Sequence, residues 1–164
     1  MLNPDGVIVG NYRCNLAGVD LNRTWDAPSR KLNPTIFYLK QMIRRFMDDR
    51  ELILFCDLHG HSRKMNVFMY GCENKKTWSL RLRERVFPRM LWRNASVFSF
   101  SDCSFKVSKQ KENAGRVVVW RELGLTNSYT MEASFCGADF GRYANLHFSV
   151  AEFEEMGHYF CDTI

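Results

Sequence analysis

Residues 51–65 read ELILFCDLHGHSRKM, an apolar run from Leu52 to Cys56 followed at once by Asp57, His59 and His61. A continuous apolar run of strand length with polar ends is the pattern of a strand covered on both faces, as in parallel and mixed sheets. Outward from this run the pattern alternates between helix and strand. Upstream, Asn33-Pro34 has the form of an N-cap with proline at the first helical position. Ile36, Leu39, Ile43, Phe46 and Met47 then recur at helical spacing, predicting a helix that ends near Asp49. Downstream, residues 66–71 predict a second strand, 77–90 a helix, 97–107 an extended segment and 128–131 a short strand. Ser149 and Glu152 form a capping box, opening a helix whose Val150, Phe153, Met156 and Phe160 share one face. Asn3-Pro4-Asp5-Gly6 predicts a turn, and residues 11–25 show no period. Strands alternating with helices give an α/β fold class, and in such folds ligands gather at strand ends, where Asp57, His59 and His61 stand. By position alone these histidines read equally well as metal ligands, catalytic groups or hydrogen-bonded structural residues.

The chain has 164 residues and 46% hydrophobic content, enough for one domain or part of one. Lys and Arg outnumber Asp and Glu by 23 to 18, a formal charge of +5 that favours an anionic partner. Without a basic block, nucleic acid is not the expected one, and neither a GxGxxG nor a GxxxxGK[ST] phosphate loop occurs. Six cysteines at 14, 56, 72, 103, 136 and 161 stand singly with no CxxC pair, the usage of reduced thiols in a cell interior. In that setting the Asn94-Ala95-Ser96 glycosylation pattern is a chance match. No signal-peptide pattern and no apolar run of membrane-spanning length is present, so a cytosolic protein without a membrane partner is expected.

Three separated pieces form a larger pattern. Asn3-Pro4-Asp5-Gly6, Arg13 and Gly18-Val19-Asp20-Leu21-Asn22-Arg23-Thr24-Trp25 come first, then a strand leading to His59, then Tyr129-Thr130-Met131-Glu132. In this order they resemble the zinc metallocarboxypeptidases. The stretches NYRCNLAGVDLNR, CDLHGHSRKMNVFMYGC and TMEASFCG are similar to the cytosolic carboxypeptidase subfamily, which removes glutamates from protein tails, notably those of tubulin. The resemblance runs along essentially the whole chain. It implies a carboxypeptidase-like layered fold, with a mixed central sheet flanked by helices, and acidic protein tails of tubulin and microtubules as partners. It also implies Zn2+ as cofactor, His59 as a zinc ligand and Glu132 as general acid/base. Arg13 would stabilise the oxyanion, and Asn22 and Arg23 would clamp the substrate's terminal carboxylate. These residue types suit the chemistry: peptide hydrolysis needs a Lewis acid, a carboxylate to move protons and cations at the developing and resident anions. The guanidinium fork matches a carboxylate. His61 would either brace His59 or touch substrate. The pocket for the departing residue is lined in this family by a segment shortly before the glutamate, here Gly115 to Arg121. Arg116 first, and Arg121 second, would there select acidic residues, the alternative for each being a solvent-facing charge.

One element of the family pattern has no counterpart. Its first two zinc ligands lie in a His-x-x-Glu motif before the Asn-Pro-Asp-Gly stretch. The four histidines here, 59, 61, 147 and 158, have Ser62, Lys64, Val150 and Cys161 three positions on. Residues 1–164 are therefore expected to be the C-terminal portion of a catalytic domain, incomplete at the N-terminus, with the remaining zinc ligands upstream. The expected sheet would then have an uncovered edge. Two readings stand: a segment of a protein deglutamylase, or an inactive form that binds acidic tails.

Overall fold

The computed structural model describes residues 1–75 and 77–164. In chain order its main elements are α1 (Pro4–Val9), α2 (Pro34–Met47), β1 (Phe55–His61), β2 (Val67–Tyr70), α3 (Val86–Asn94), α4 (Gly115–Leu123), β3 (Ser128–Ser134) and α5 (Val150–Thr163). They fall into two compact units, each assembled from two stretches of chain. Met1–Ile53 with Val107–Leu125 make the first, and Leu54–Lys106 with Thr126–Ile164 the second.

In the first unit the Asn-Pro-Asp-Gly stretch opens a short helix where a turn was expected. Asn3 Oδ1 accepts from Gly6 N at 3.2 Å, Pro4 sits where no N–H is needed, and Gly10 closes the helix at φ 72°. Gly6 lies against the Cys14 carbonyl, so that a Cβ would come within 2.4 Å of its oxygen, and Asn3 Nδ2 donates to the same oxygen at 3.0 Å. The motif thereby fixes the segment that carries Arg13. Residues 11–25 are irregular as expected, apart from a 3-10 turn at Leu21–Arg23.

Helix α2 forms where the periodicity placed it, with Ile36, Lys40 and Ile43 inward. Phe46 and Met47, expected on the buried face, are exposed. Lys40 takes a place in the stripe instead because three acceptors meet its ammonium: Trp25 O at 2.6 Å, Asp26 O at 3.0 Å and Glu122 Oε2 at 2.8 Å. Helix α4 buries Val117, Val118 and Val119 together, and its Gly115 lies so close to the Trp25 ring that a Cβ would stand 2.8 Å from it.

The second unit is built on a three-stranded mixed sheet in the order β1-β3-β2, with β1 parallel and β2 antiparallel to β3. Side chains alternate across it. One face carries Cys56, Val67, Met69, Tyr129, Met131 and Ala133 into a core shared with Phe87 and Leu91 of α3 and Met156 of α5. The Val, Leu, Met and Phe side chains among these contribute about 1.5–3 kcal/mol each when fully buried. The other face carries Asp57, His59 and His61 of β1 beside Thr130, Glu132 and Ser134 of β3.

Three expectations change here. The strand expected at Leu52 to Cys56 and covered on both faces is instead Phe55–His61 and only partly buried, because its ladder starts where Phe55 meets Ser128 and continues past the apolar run. The helix expected over 77–90 appears as 3-10 turns at Trp78–Leu80 and Arg83–Arg85 before α3, broken by Leu82 at φ 67°. Pro88 lies in the first turn of α3, where its missing N–H costs nothing. The extended segment 97–107 makes only isolated bridges, Val67 with Phe98 and Tyr70 with Ser104. The capping box of α5 is present, Glu152 Oε2 accepting from Ser149 N at 2.7 Å.

All six thiols are free. Burial pushes Cys56 and Cys103 up to about 12, and Cys72 is fully buried, whereas Cys136 and Cys161 are exposed. Since the thiolate is the reactive form, a maleimide at neutral pH should label Cys136 and Cys161 in the folded chain and reach Cys56, Cys72 and Cys103 only on unfolding. Mass-spectrometric mapping checks this; rapid labelling of Cys56 would contradict the packing of β1. No described helix is long and apolar enough to cross a membrane.

Candidate functional site

The strand period creates the first cluster. Asp57 and His59, two apart on β1, share a face, and His59 is the register neighbour of Glu132 on β3. Paired strands lie about 4.8 Å apart, so these two side chains rise side by side. His59 Nε2 is 2.8 Å from Asp57 Oδ2. A carboxylate only accepts, so Nε2 carries the proton, and in the neutral ring Nδ1 carries the lone pair. Phe68, the neighbour of Glu132 on its other side, is fully buried and backs the cluster.

His61 shares the face but has another task. Its Nδ1 accepts from Arg63 N at 3.1 Å and Lys64 N at 3.0 Å, shaping the turn after β1, and its ring meets the Phe68 ring edge to face at 5.2 Å. Beyond that turn Asn66, at φ 73°, donates to Asp102 Oδ2 at 3.0 Å and Asp139 Oδ1 at 2.8 Å. Burial raises Asp102, but hydrogen bonds from Ser99 and Asn66 and the charge of Lys64 outweigh it and hold the carboxyl below its usual range.

A second cluster lies wholly in the first unit. Asp20 Oδ1 caps the Leu21–Arg23 turn by accepting from Asn22 N at 3.0 Å, and its Oδ2 stands 3.5 Å from Arg13 Nη1 and 3.9 Å from Arg23 Nη2. One carboxylate thus gathers both arginines loosely, leaving donors on each guanidinium. Asn22 Oδ1 accepts from Gly115 N at 2.8 Å, which fixes the orientation of its amide. Arg116 follows directly and is 6% exposed. Arg121 differs: it donates to Glu112 O at 3.2 Å and pairs with Glu122 at 3.8 Å.

Of the residues singled out in sequence, the fold joins His59 with Glu132 in one unit. It groups Arg13, Asn22, Arg23 and Arg116 in the other, and ties Arg121 to Glu112 and Glu122. Sequence reasoning passed over Asp57 as a brace, although the Asp-x-His alternation on a strand was a readable signal. It also passed over Asp20 and over Lys111, on which the charges of Arg23, Arg13 and Arg116 converge.

A histidine with one nitrogen held by a carboxylate is the usual form of a metal-binding imidazole. Catalytic zinc takes three protein ligands, and among the described residues no three His, Cys, Asp or Glu side chains are grouped to hold a metal. These residues do not make a zinc site by themselves.

No family model matches the chain. Over all of its length it is 53% identical to mouse cytosolic carboxypeptidase 3 and 53% identical to Danio rerio cytosolic carboxypeptidase 2, of which it spans 17% and 23%. Among solved structures, the metallo-carboxypeptidase of Burkholderia cenocepacia matches 99% of the chain with a TM-score of 0.81, using 41% of its own, and at 21% identity this is a likeness of fold. The metallo-carboxypeptidase of Pseudomonas aeruginosa, solved with (2-guanidinoethylmercapto)succinic acid, matches 99% at a TM-score of 0.82 and 27% identity, using 43% of its own chain.

Proposed function

Because this chain belongs, as one segment, to the cytosolic carboxypeptidases, we propose that the whole protein releases glutamate from acidic protein tails, C-terminal or side-chain-linked, in the cytosol. Tubulin is the proposed partner. The observation that carries the reading is the register pairing of His59 with Glu132, with Asp57 braced on the same face. In the Pseudomonas neighbour the ligand is a succinic acid derivative, a dicarboxylate, and an acidic C-terminal residue likewise offers two carboxylates.

Each unit has its own part in the proposed chemistry. In the first, Arg23 and the Asn22 amide hold the terminal carboxylate through charge-assisted hydrogen bonds. Arg13 stabilises the anionic oxygen that forms when water adds to the scissile carbonyl. In the second, Glu132 accepts the proton of the attacking water and returns it to the departing nitrogen, which ends the reaction with the carboxylate restored. His59 is the one zinc ligand proposed within the segment. His61 shapes the turn beside it. Arg121 leaves the proposed pocket, since it is engaged with Glu112 and Glu122.

The second reading, a binding module for acidic tails, is favoured by the two arginines gathered at Asp20. Zinc titration and glutamate-release assays on the 164-residue chain test the division of labour. The chain alone should bind zinc only weakly and release no glutamate from a polyglutamylated peptide. A stoichiometric zinc site of sub-micromolar dissociation constant, lost on His59→Ala, would mean that the fold has found another ligand set.

A further inference from the structure

Lys111 ends the 3-10 turn Lys109–Lys111 that leads toward α4. The turn is fastened: Lys111 N donates to Ser108 O at 2.9 Å and Ala114 N to Lys111 O at 3.0 Å. The residues after it are joined to the Asp20–Trp25 segment by Trp25 N donating to Asn113 O at 3.3 Å and Gly115 N to Asn22 Oδ1 at 2.8 Å. This backbone therefore holds Lys111 beside the anchoring residues of the first unit. Its side chain is partly buried.

The charge balance there is uneven. The ion pairs of this unit include those of Arg13 and Arg23 with Asp20, and of Lys40, Arg44 and Arg121 with Glu122. Among the described residues no carboxylate lies within ion-pair reach of Lys111. Burial first, then the charges of Arg23, Arg13 and Arg116, lower its pKa, and Asp20 opposes them. Arg13, Arg23 and Lys111 thus share the field of one carboxylate, Asp20, an arrangement that desolvation and like-charge repulsion disfavour until a ligand brings negative charge. Two anionic groups suit it better than one.

We propose that Lys111 is a further specificity-determining residue, its ammonium taking the second carboxylate of a ligand whose first is held by Arg23 and Asn22. The unit then recognises an acidic C-terminal residue by both of its carboxylates. The inference rests on the carboxylate-anchoring role proposed above. It assigns the acid-selecting contact to a lysine that reaches solvent, where Arg116 is almost wholly enclosed.

The test uses the 164-residue chain, isotope-labelled and titrated with three peptides that are identical and uncharged up to the last residue and end in glutamate, leucine or leucine amide, followed by amide shifts. The leucine acid should bind more tightly than its amide, and the glutamate peptide about tenfold more tightly than the leucine acid. Lys111→Met, which keeps the stem and removes the charge, should abolish the glutamate preference while leaving acid over amide; Lys111→Arg should retain both. Unchanged spectra outside the cluster establish that the variants are folded. A glutamate preference that is absent in the parent chain, or survives in Lys111→Met, overturns the assignment of Lys111 while acid over amide keeps the anchoring role. No preference for acid over amide in the parent chain overturns the anchoring role and this inference with it.

Discussion

Replacing Glu132 by Gln is expected to lower kcat about 10^3-fold, the range lost when a general acid/base is removed. The measurement needs an active enzyme, and a chimera with residues 1–164 in place of the matching segment of a full-length relative provides one. Gln keeps the shape and the strand pairing of Glu132 with His59 and Phe68 but cannot accept and return a proton at neutral pH. KM should change little, because the proposed anchoring groups, Asn22 and Arg23, are untouched. A loss smaller than tenfold would remove Glu132 from the proton-transfer role. A chimera that releases no glutamate even before mutation would move the protein to the binding-module reading.

Lys40→Met is expected to destabilise the first unit by about 2–4 kcal/mol. The replacement fills a similar volume, yet it strips the donor from the Trp25 and Asp26 carbonyls and from one oxygen of Glu122. A buried acceptor left without a partner costs about 1–3 kcal/mol. Arg44→Ala, which removes another partner of the same carboxylate from a half-exposed position, should cost about 0–1 kcal/mol. Urea unfolding with amide exchange read separately in α2 and α4 distinguishes the two. Equal and small losses would mean that water replaces the ammonium at both carbonyls.

Helices α2 and α5 were legible because periodicity and end signals agree on them, although Lys40 shows how a few well-placed carbonyls can draw a charged residue into an apolar stripe. Helix α4 was not legible. Val117, Val118 and Val119 are β-branched and all buried, so the segment shows no polar face by which a helical period could be seen. The strand start was misplaced because a ladder begins where a neighbour exists, and Ser128, far along the chain, sets that point for Phe55. The same holds at the site. The family pattern named His59 and Glu132, but their register, the bracing by Asp57 and the convergence of Arg13, Arg23, Arg116 and Lys111 depend on segments distant in sequence. Lys111, in a run of lysines and polar residues, carries no local mark at all.

The parallel pairing of β1 with β3 joins the opening of the second unit to a strand reached only after the chain has passed through β2, α3 and the whole of α4. Closing so long a loop is entropically unfavourable until the ladder forms, which places this contact among the slow, non-local events of folding. A slip of one residue would turn His59 and Glu132 toward opposite faces. Their juxtaposition is therefore a global property of the folded unit: no partly folded intermediate lacking this ladder can present the pair, and a chain proofread for activity is at the same time proofread for register.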